Sequence, residues 1–99
     1  MPTLHVLSDS PFTDASLSSC LRLLGEDDGL LLCGDAVYAL LADTPQLQAL
    51  ELIPDSIQLY ALEEDVQARS IDTPACAQVI DYPEFVRLSL KFAKVNSWL

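Results

Sequence analysis

The sequence predicts a small three-layer α/β domain, a mostly parallel sheet of four or five strands flanked by helices. Three observations carry this. Short apolar runs alternate with segments whose large apolar residues recur at helical spacing, the order that builds βαβ units. The run Leu30-Leu31-Leu32-Cys33 is unbroken and apolar, as befits a strand covered on both faces of a parallel sheet. Only a few residues separate successive segments, and right-handed crossovers then place helices on both faces.

Thr3 to Leu7 is short, apolar and compatible with a first strand. Asp14 is positioned to cap a following helix by accepting a backbone N–H of its first turn. Leu17, Leu21 and Leu24 recur at i, i+4 and i+7, Cys20 lies beside them on the same face, and Gly25 is placed to close the helix in the left-handed conformation. Glu26-Asp27-Asp28-Gly29 reads as a solvated turn before the apolar run. Gly34-Asp35 opens a second helix, Ala36 to Ala42, and Thr44-Pro45 ends it. That pair also suits a fresh N-cap with proline at the first helical position, so Gln46 to Leu52 is a short helical turn or a loop. Pro54-Asp55-Ser56 turns into a third strand, Ile57 to Leu62. Glu63-Glu64-Asp65 begins a third helix ending near Arg69, with three acids where the backbone dipole favours them. Ser70 to Ala77 is a loop, and Gln78 to Ile80 a short strand. Asp81-Tyr82-Pro83-Glu84 starts the last helix, whose inward stripe is Tyr82, Phe85, Leu88, Ser89 and Phe92. The closing Trp98-Leu99 must bury somewhere.

Ninety-nine residues make a single domain, 1–99. A chain so short buries only ~60–68% of its unfolded surface, yet 51% of its residues are hydrophobic. Part of that apolar surface is expected to meet a partner. Fifteen Asp and Glu against five Lys and Arg give a net charge of −10. Phosphate binding is driven by basic side chains displacing counterions, so direct nucleic-acid binding is not expected, whereas an acidic subunit beside a more basic partner fits. No stretch approaches the ~18 apolar residues of a membrane span, and no signal peptide is visible. Cys20, Cys33 and Cys76 are odd in number and form no C-x-x-C pair. That suits free thiols in a reducing compartment and a cytoplasmic protein.

Cofactor signatures are missing. Three glycines, Gly25, Gly29 and Gly34, cannot compose a nucleotide-binding glycine motif. His5, the sole histidine, excludes a multi-histidine zinc site and is expected to be a strand residue with a satisfied hydrogen bond. No cofactor and no metal are therefore expected. Cys20 is the candidate persulfide carrier. Such a thiol needs exposure and a pKa below the free value of ~8.5, but Cys20 lies in the second turn of its helix, past the reach of the N-terminal dipole. Its neighbours Leu17, Leu21 and Leu24 favour a core position. Acids follow every proposed strand: Asp9, Asp35, Glu63 to Asp65, and Asp81. Ligands gather at the carboxyl ends of strands in open α/β sheets, so a metal-binding or phospho-acceptor domain is a reading of another class. Against it, Asp35, Glu63 and Asp81 each sit where a helix cap is wanted.

Taken together, several words resemble the TusB/DsrH family of sulfur-relay proteins, within the DsrE/F/H-like superfamily. They are Leu4-His5 with Ser10-Pro11-Phe12, then Ser16-Leu17-Ser18-Ser19-Cys20-Leu21, then Gly34-Asp35-Ala36-Val37-Tyr38-Ala39. Tyr60-Ala61-Leu62 with Asp65 and Ala68-Arg69, Ile80-Asp81-Tyr82 with Phe85-Val86 and Leu88, and Trp98-Leu99 complete the match. The resemblance implies a small α/β fold and a subunit, more a non-catalytic or sulfur-carrier component than a stand-alone enzyme. It implies homologous TusC/DsrF-like and TusD/DsrE-like partners in a dimer of heterotrimers. One such assembly relays persulfide sulfur toward 2-thiouridine at the tRNA wobble position. The other, DsrEFH, serves cytoplasmic sulfur oxidation. In both, the principal sulfur-carrying cysteine belongs to another subunit. Cys20 matches a cysteine of the DsrH-like branch, where it is considered a second functional thiol. Ala36 departs from the glycine that relatives often carry after the aspartate, which bears on the local turn.

Overall fold

A computed structural model describes residues 2–98. Its five strands are β1 (Thr3–Leu7), β2 (Gly29–Leu32), β3 (Gln58–Leu62), β4 (Gln78–Ile80) and β5 (Lys94–Trp98). They form one sheet in the order β4-β3-β2-β1-β5, and every pairing is parallel. The helices are α1 (Ser16–Leu23), a 3-10 helix (Gly34–Leu40), α2 (Pro45–Glu51), α3 (Glu63–Ala68) and α4 (Tyr82–Lys91).

Connectivity explains the layers. From β1 to β4 each strand is laid beside the last, so right-handed crossovers hold the intervening helices on one face. There α1, the 3-10 helix, α2 and α3 bury Leu17, Cys20, Val37, Leu50 and Val66 against Leu7, Leu30, Leu32, Leu59 and Ala61 of the sheet. The chain then returns to the far edge to form β5, and the same handedness puts α4 on the opposite face. Phe85, Leu88 and Phe92 pack there on Leu4, Val6, Leu31, Tyr60 and Ile80. All four residues of β2 are buried, as its unbroken apolar run requires.

Most predicted elements stand, and the differences have local causes. The tail is a fifth strand: Leu4 to Leu7 register with Val95 to Trp98, which buries Trp98 in part, while Leu99 lies outside the described residues. Thr44 caps α2 through its hydroxyl, which accepts from the Leu47 N–H, with Pro45 at the first position, so residues 45–51 are helix. The segment predicted as a helix over 36–42 is instead a 3-10 helix over 34–40, entered through Gly34 at φ +53°. A Cβ at Gly34 would lie 3.1 Å from the Ser8 carbonyl oxygen. Asp14 takes the Ser16 N–H and hydroxyl from one position before the cap residue Ala15, and that bonding holds its carboxyl below the usual range. Gly25 does not close α1 in the left-handed region: Leu24 ends it in extended conformation. The left-handed residue of that turn is Asp27, at φ +65°. Tyr82, predicted to face inward, is 55% exposed, because at 3.6 residues per turn it lies a third of the way round α4 from the buried Leu88; its ring meets Phe85 edge-on.

Candidate functional site

Helix α1 carries the candidate thiol. Leu17 and Cys20, one turn apart, are its buried residues, and Cys20 has no exposed surface. Arg22 points outward. Burial first, and the nearby Asp28 carboxylate second, push the Cys20 thiol up to about 12, since both disfavour a thiolate. At neutral pH such a group is ionised in about one molecule in 10⁵. In this conformation Cys20 is a core residue, in keeping with its spacing.

Beside it lies a polar cluster that the sequence half concealed. Asp28, read as part of a solvated turn, is only 6% exposed. Its carboxylate accepts the backbone N–H of Thr3 at 2.8 Å, that of Gly25 at 2.9 Å, and meets His5 Nε2 at 3.3 Å. Burial works against the Asp28 charge, but the N–H groups of Gly25 and Thr3, together with His5, outweigh it and hold the carboxyl below its ordinary value. The other nitrogen of His5, Nδ1, lies 3.1 Å from Trp98 Nε1. An indole N–H can only donate, so Nδ1 must accept and the ring proton sits on Nε2, facing Asp28. The hydrogen-bond network thus assigns a neutral imidazole. His5 is a strand residue with satisfied hydrogen bonds, as expected.

An acid–imidazole pair ordinarily prepares a base for a nucleophile. Here the outer position is filled by an indole, which has no nucleophilic atom to activate. Both nitrogens of the chain's sole histidine are engaged, so none is left to draw a proton from Cys20. The cluster pins the start of β1, the turn before β2 and the end of β5 to one another. Its signal in the sequence was slight: a unique His, a unique Trp, and an acid directly before an apolar run.

Several of the acids at the carboxyl ends of the strands are likewise committed, whereas Asp9 and Glu64 are exposed. Arg69 donates to Asp35 at 2.8 Å and 3.3 Å, and to the Asp65 carbonyl at 3.1 Å, while its guanidinium lies 5.6 Å over the Tyr38 ring. Asp65 accepts the Gly34 N–H at 2.8 Å. Asp81 caps α4 through the Glu84 N–H at 2.9 Å. Asp35 and Glu63 were predicted as caps, but Asp35 pairs with Arg69, and Glu63 accepts from Gln67 one turn on. Among the described residues no group of three or more His, Cys, Asp or Glu is arranged to hold a metal ion. Cys33 donates its S–H to the Leu7 carbonyl, 3.4 Å away, and burial, then Asp65, raises its pKa. Cys76 is exposed beside a depression of about 380 Å³ lined by Leu50, Ile53 and Ile57. Burial followed by Glu51 raises that thiol too.

The architecture defines a class: a compact parallel α/β unit whose buried His5 and Asp28 are spent on each other and on their neighbours. Solved structures of the same fold include the YchN protein from E. coli, with a TM-score of 0.83 and 20% identity, covering 99% of this chain and 100% of that one. Another is the protein of unknown function MTH1491 from Methanobacterium thermoautotrophicum, with a TM-score of 0.68 and 15% identity, covering 95% and 96%. At family level, the model of DsrH like protein matches residues 9–95. Protein TusB of Klebsiella pneumoniae is 39% identical over 97 residues, covering 96% of this chain and 99% of its own. Protein TusB of Shigella sonnei matches equally, and that of Erwinia tasmaniensis at 38%. The chain belongs to the TusB/DsrH family.

Proposed function

We propose that this chain is a subunit of a TusBCD-like sulfur relay that passes persulfide sulfur toward 2-thiolation of the tRNA wobble uridine. It acts there as a structural component with homologous TusC-like and TusD-like partners, in a dimer of heterotrimers within the cytoplasm. The near full-length likeness to proteins named TusB carries this reading. The geometry supports the structural role. A sulfur carrier attacks a sulfane sulfur as thiolate and releases the donor's thiolate, whereas Cys20 is buried and protonated and His5 is fully engaged. Purification of the chain from its own cells tests the proposal. It should bring down two homologous subunits in equal amounts, and its deletion should remove 2-thiouridine from tRNA. A chain recovered alone, from cells whose tRNA thiolation survives the deletion, refutes it.

The second reading makes the chain a DsrEFH-like subunit in sulfur oxidation, with Cys20 carrying persulfide. The matched DsrH family model favours it. It requires α1 to move, because the Cys20 sulfur has no exposed surface. Treating the assembled complex with a sulfur donor and mass-mapping the product should then add one sulfur, about 32 Da, to Cys20; a Cys20 that stays unmodified while another subunit is loaded removes this reading.

A further inference from the structure

The two nitrogens of His5 respond differently when the ring gains a proton. In the neutral ring Nε2–H faces the Asp28 carboxylate at 3.3 Å, and Nδ1 accepts from the Trp98 indole N–H at 3.1 Å. A second proton leaves the Asp28 contact in place and strengthens it, since an ionised donor then meets an ionised acceptor. On the other side it turns Nδ1 into a donor. An indole N–H can only donate, so two hydrogens face each other and the bond to Trp98 is lost.

The surroundings of the ring admit that proton. Asp28, in the turn before β2, supplies a counter-ion within the buried cluster. Cys20 of α1, which lies near Asp28, is held protonated and neutral, and Arg22 on the same helix is exposed. Glu26 and Asp27 of the turn are exposed as well. On β5, Asn96 registers with His5, and Lys94, two residues earlier on the same face, is open to solvent. On β2 the register partner of His5 is Leu30, which carries no charge.

What hangs on the indole bond is the end of an edge strand. β5 pairs with β1 alone. Its start is held by the Ala93 N–H, which donates to the Pro2 carbonyl at 3.1 Å. Lys94 to Ser97 are exposed. Among the described residues Trp98 is the one β5 side chain packed on a core cluster, the cluster that contains Leu7, Leu17 and Cys20. The far end of β5 therefore depends on Trp98, and His5 holds the polar edge of its ring.

We propose that His5 and Trp98 form a proton-operated latch on the C-terminal end of β5. It is closed while His5 is neutral. It is released when His5 is protonated, which frees the indole and uncovers the backbone edge of β1 beside Leu7, an unpaired edge of the kind that accepts another strand. The latch works in the free chain and needs no partner. The sign follows from linkage: the indole bond adds to stability above the titration of His5 and is lost as pH falls through it.

The test follows the full chain by NMR and fluorescence from about pH 8 to about pH 5, the span in which an imidazole ordinarily gains its proton. Trp98 is the sole tryptophan, so its indole N–H signal is unambiguous. As the His5 ring signals report protonation, the indole N–H should move upfield and exchange with solvent about two- to tenfold faster. Exchange catalysed by hydroxide slows on acidification, so the acceleration runs against the ordinary trend. Emission should shift to the red over the same interval. His5→Gln offers a carbonyl oxygen and an NH₂ but gains no proton in this span, and its indole signal should stay in place. Trp98→Phe loses packing at every pH but loses the indole bond only where His5 is neutral. Its gap from wild type in the unfolding equilibrium constant should therefore narrow about two- to tenfold on acidification. An indole N–H that keeps its shift and protection while His5 titrates overturns the latch, as does a transition that survives in His5→Gln. A His5 ring that gains no proton above about pH 5, or a Trp98→Phe gap that stays constant, overturns it too. Should His5→Gln fail to fold, the wild-type titration and the Trp98→Phe comparison decide.

Discussion

Replacing Asp28 by Asn probes the cluster that ties the two ends of the chain to its core. The carboxylate serves two backbone N–H groups with its two oxygens, Thr3 on one and Gly25 on the other, and His5 besides. An amide has one oxygen, so one N–H then faces an NH₂ and neither can bond. If the amide donates to His5 Nε2 instead, the ring proton must move to Nδ1, against the indole N–H of Trp98. Every arrangement leaves at least one part-buried donor without a protein acceptor. Losing one hydrogen bond to a charged group and stranding its partner costs about 2–4 kcal/mol, against a total of about 5–15 kcal/mol for a domain of this size. With a urea slope of about 1–3 kcal/mol/M, the unfolding midpoint should fall by roughly 1–2 M. Trp98 is the sole tryptophan and borders the cluster, so its fluorescence reads both unfolding and local release. Asp27→Asn is the control, one residue away, exposed and at a φ that asparagine tolerates; it should change stability by less than about 0.5 kcal/mol. The acid limb supplies a second arm. Because the folded Asp28 carboxyl is held below its unfolded value, its contribution is present above the ordinary carboxylate range and is lost as pH falls through the folded value. Stability of the Asp28→Asn chain should depend less on pH there. An Asp28→Asn chain within 0.5 kcal/mol of wild type, with the same acid limb, would refute the network as a source of stability.

Two further substitutions have definite signs. Gly34→Ala puts a side chain at φ +53°, 3.1 Å from the Ser8 carbonyl, and should cost about 1–2 kcal/mol, seen as a drop of roughly 4–16 °C in Tm; an unchanged melting curve would show that the turn relaxes freely. Arg69→Met keeps an unbranched stem but removes the guanidinium that pairs with Asp35 and Asp65 and lies over Tyr38, leaving Asp65 only its bond from the Gly34 N–H. It should lower stability by about 1 kcal/mol, with added salt narrowing the difference between the two chains; a larger effect that salt does not touch would mean that the packing over Tyr38, not the ion pairs, matters.

What the sequence disclosed follows from which forces are local. The apolar run before Gly34, the proline after Thr44 and the acid before Tyr82-Pro83 each act within a few residues, so strand β2 and the caps of α2 and α4 could be read directly. The fifth strand could not. Lys94 to Ser97 is exposed and polar enough to pass for a tail, and its strand character comes from pairing with residues some ninety positions away. Asp28 was misplaced for the same reason: beside Glu26 and Asp27 it looks like a solvated acid, and only the return of Trp98 and the start of β1 enclose it. The core position of Cys20 was legible, since a thiol one turn from Leu17 shares its face. Family likeness drew attention to the same residue on other grounds, and the two considerations meet in one measurable quantity, its accessibility.

That quantity can be bounded. Exposing Cys20 means lifting α1 and returning Leu17 to water, about 3 kcal/mol for the two side chains, or an open population near one in a hundred. In the open form the thiol regains its ordinary pKa and is a few per cent thiolate at neutral pH, so open thiolate amounts to about one molecule in a few thousand. That exceeds the ~10⁻⁵ available in the closed form by more than tenfold. Reaction at Cys20 in the isolated chain should therefore run through opening. Iodoacetamide should modify exposed Cys76 first and Cys20 at least a hundred times more slowly, with the Cys20 rate rising steeply in low urea. Assembly then separates the two readings. Partners that seat on the closed conformation lower the open population and slow Cys20 labelling further, as a structural subunit requires. Partners that draw the thiol into a relay must bind the open form more tightly, and only that differential affinity can raise the open fraction. Faster labelling of Cys20 in the assembled complex than in the free chain would overturn the structural reading in favour of the carrier.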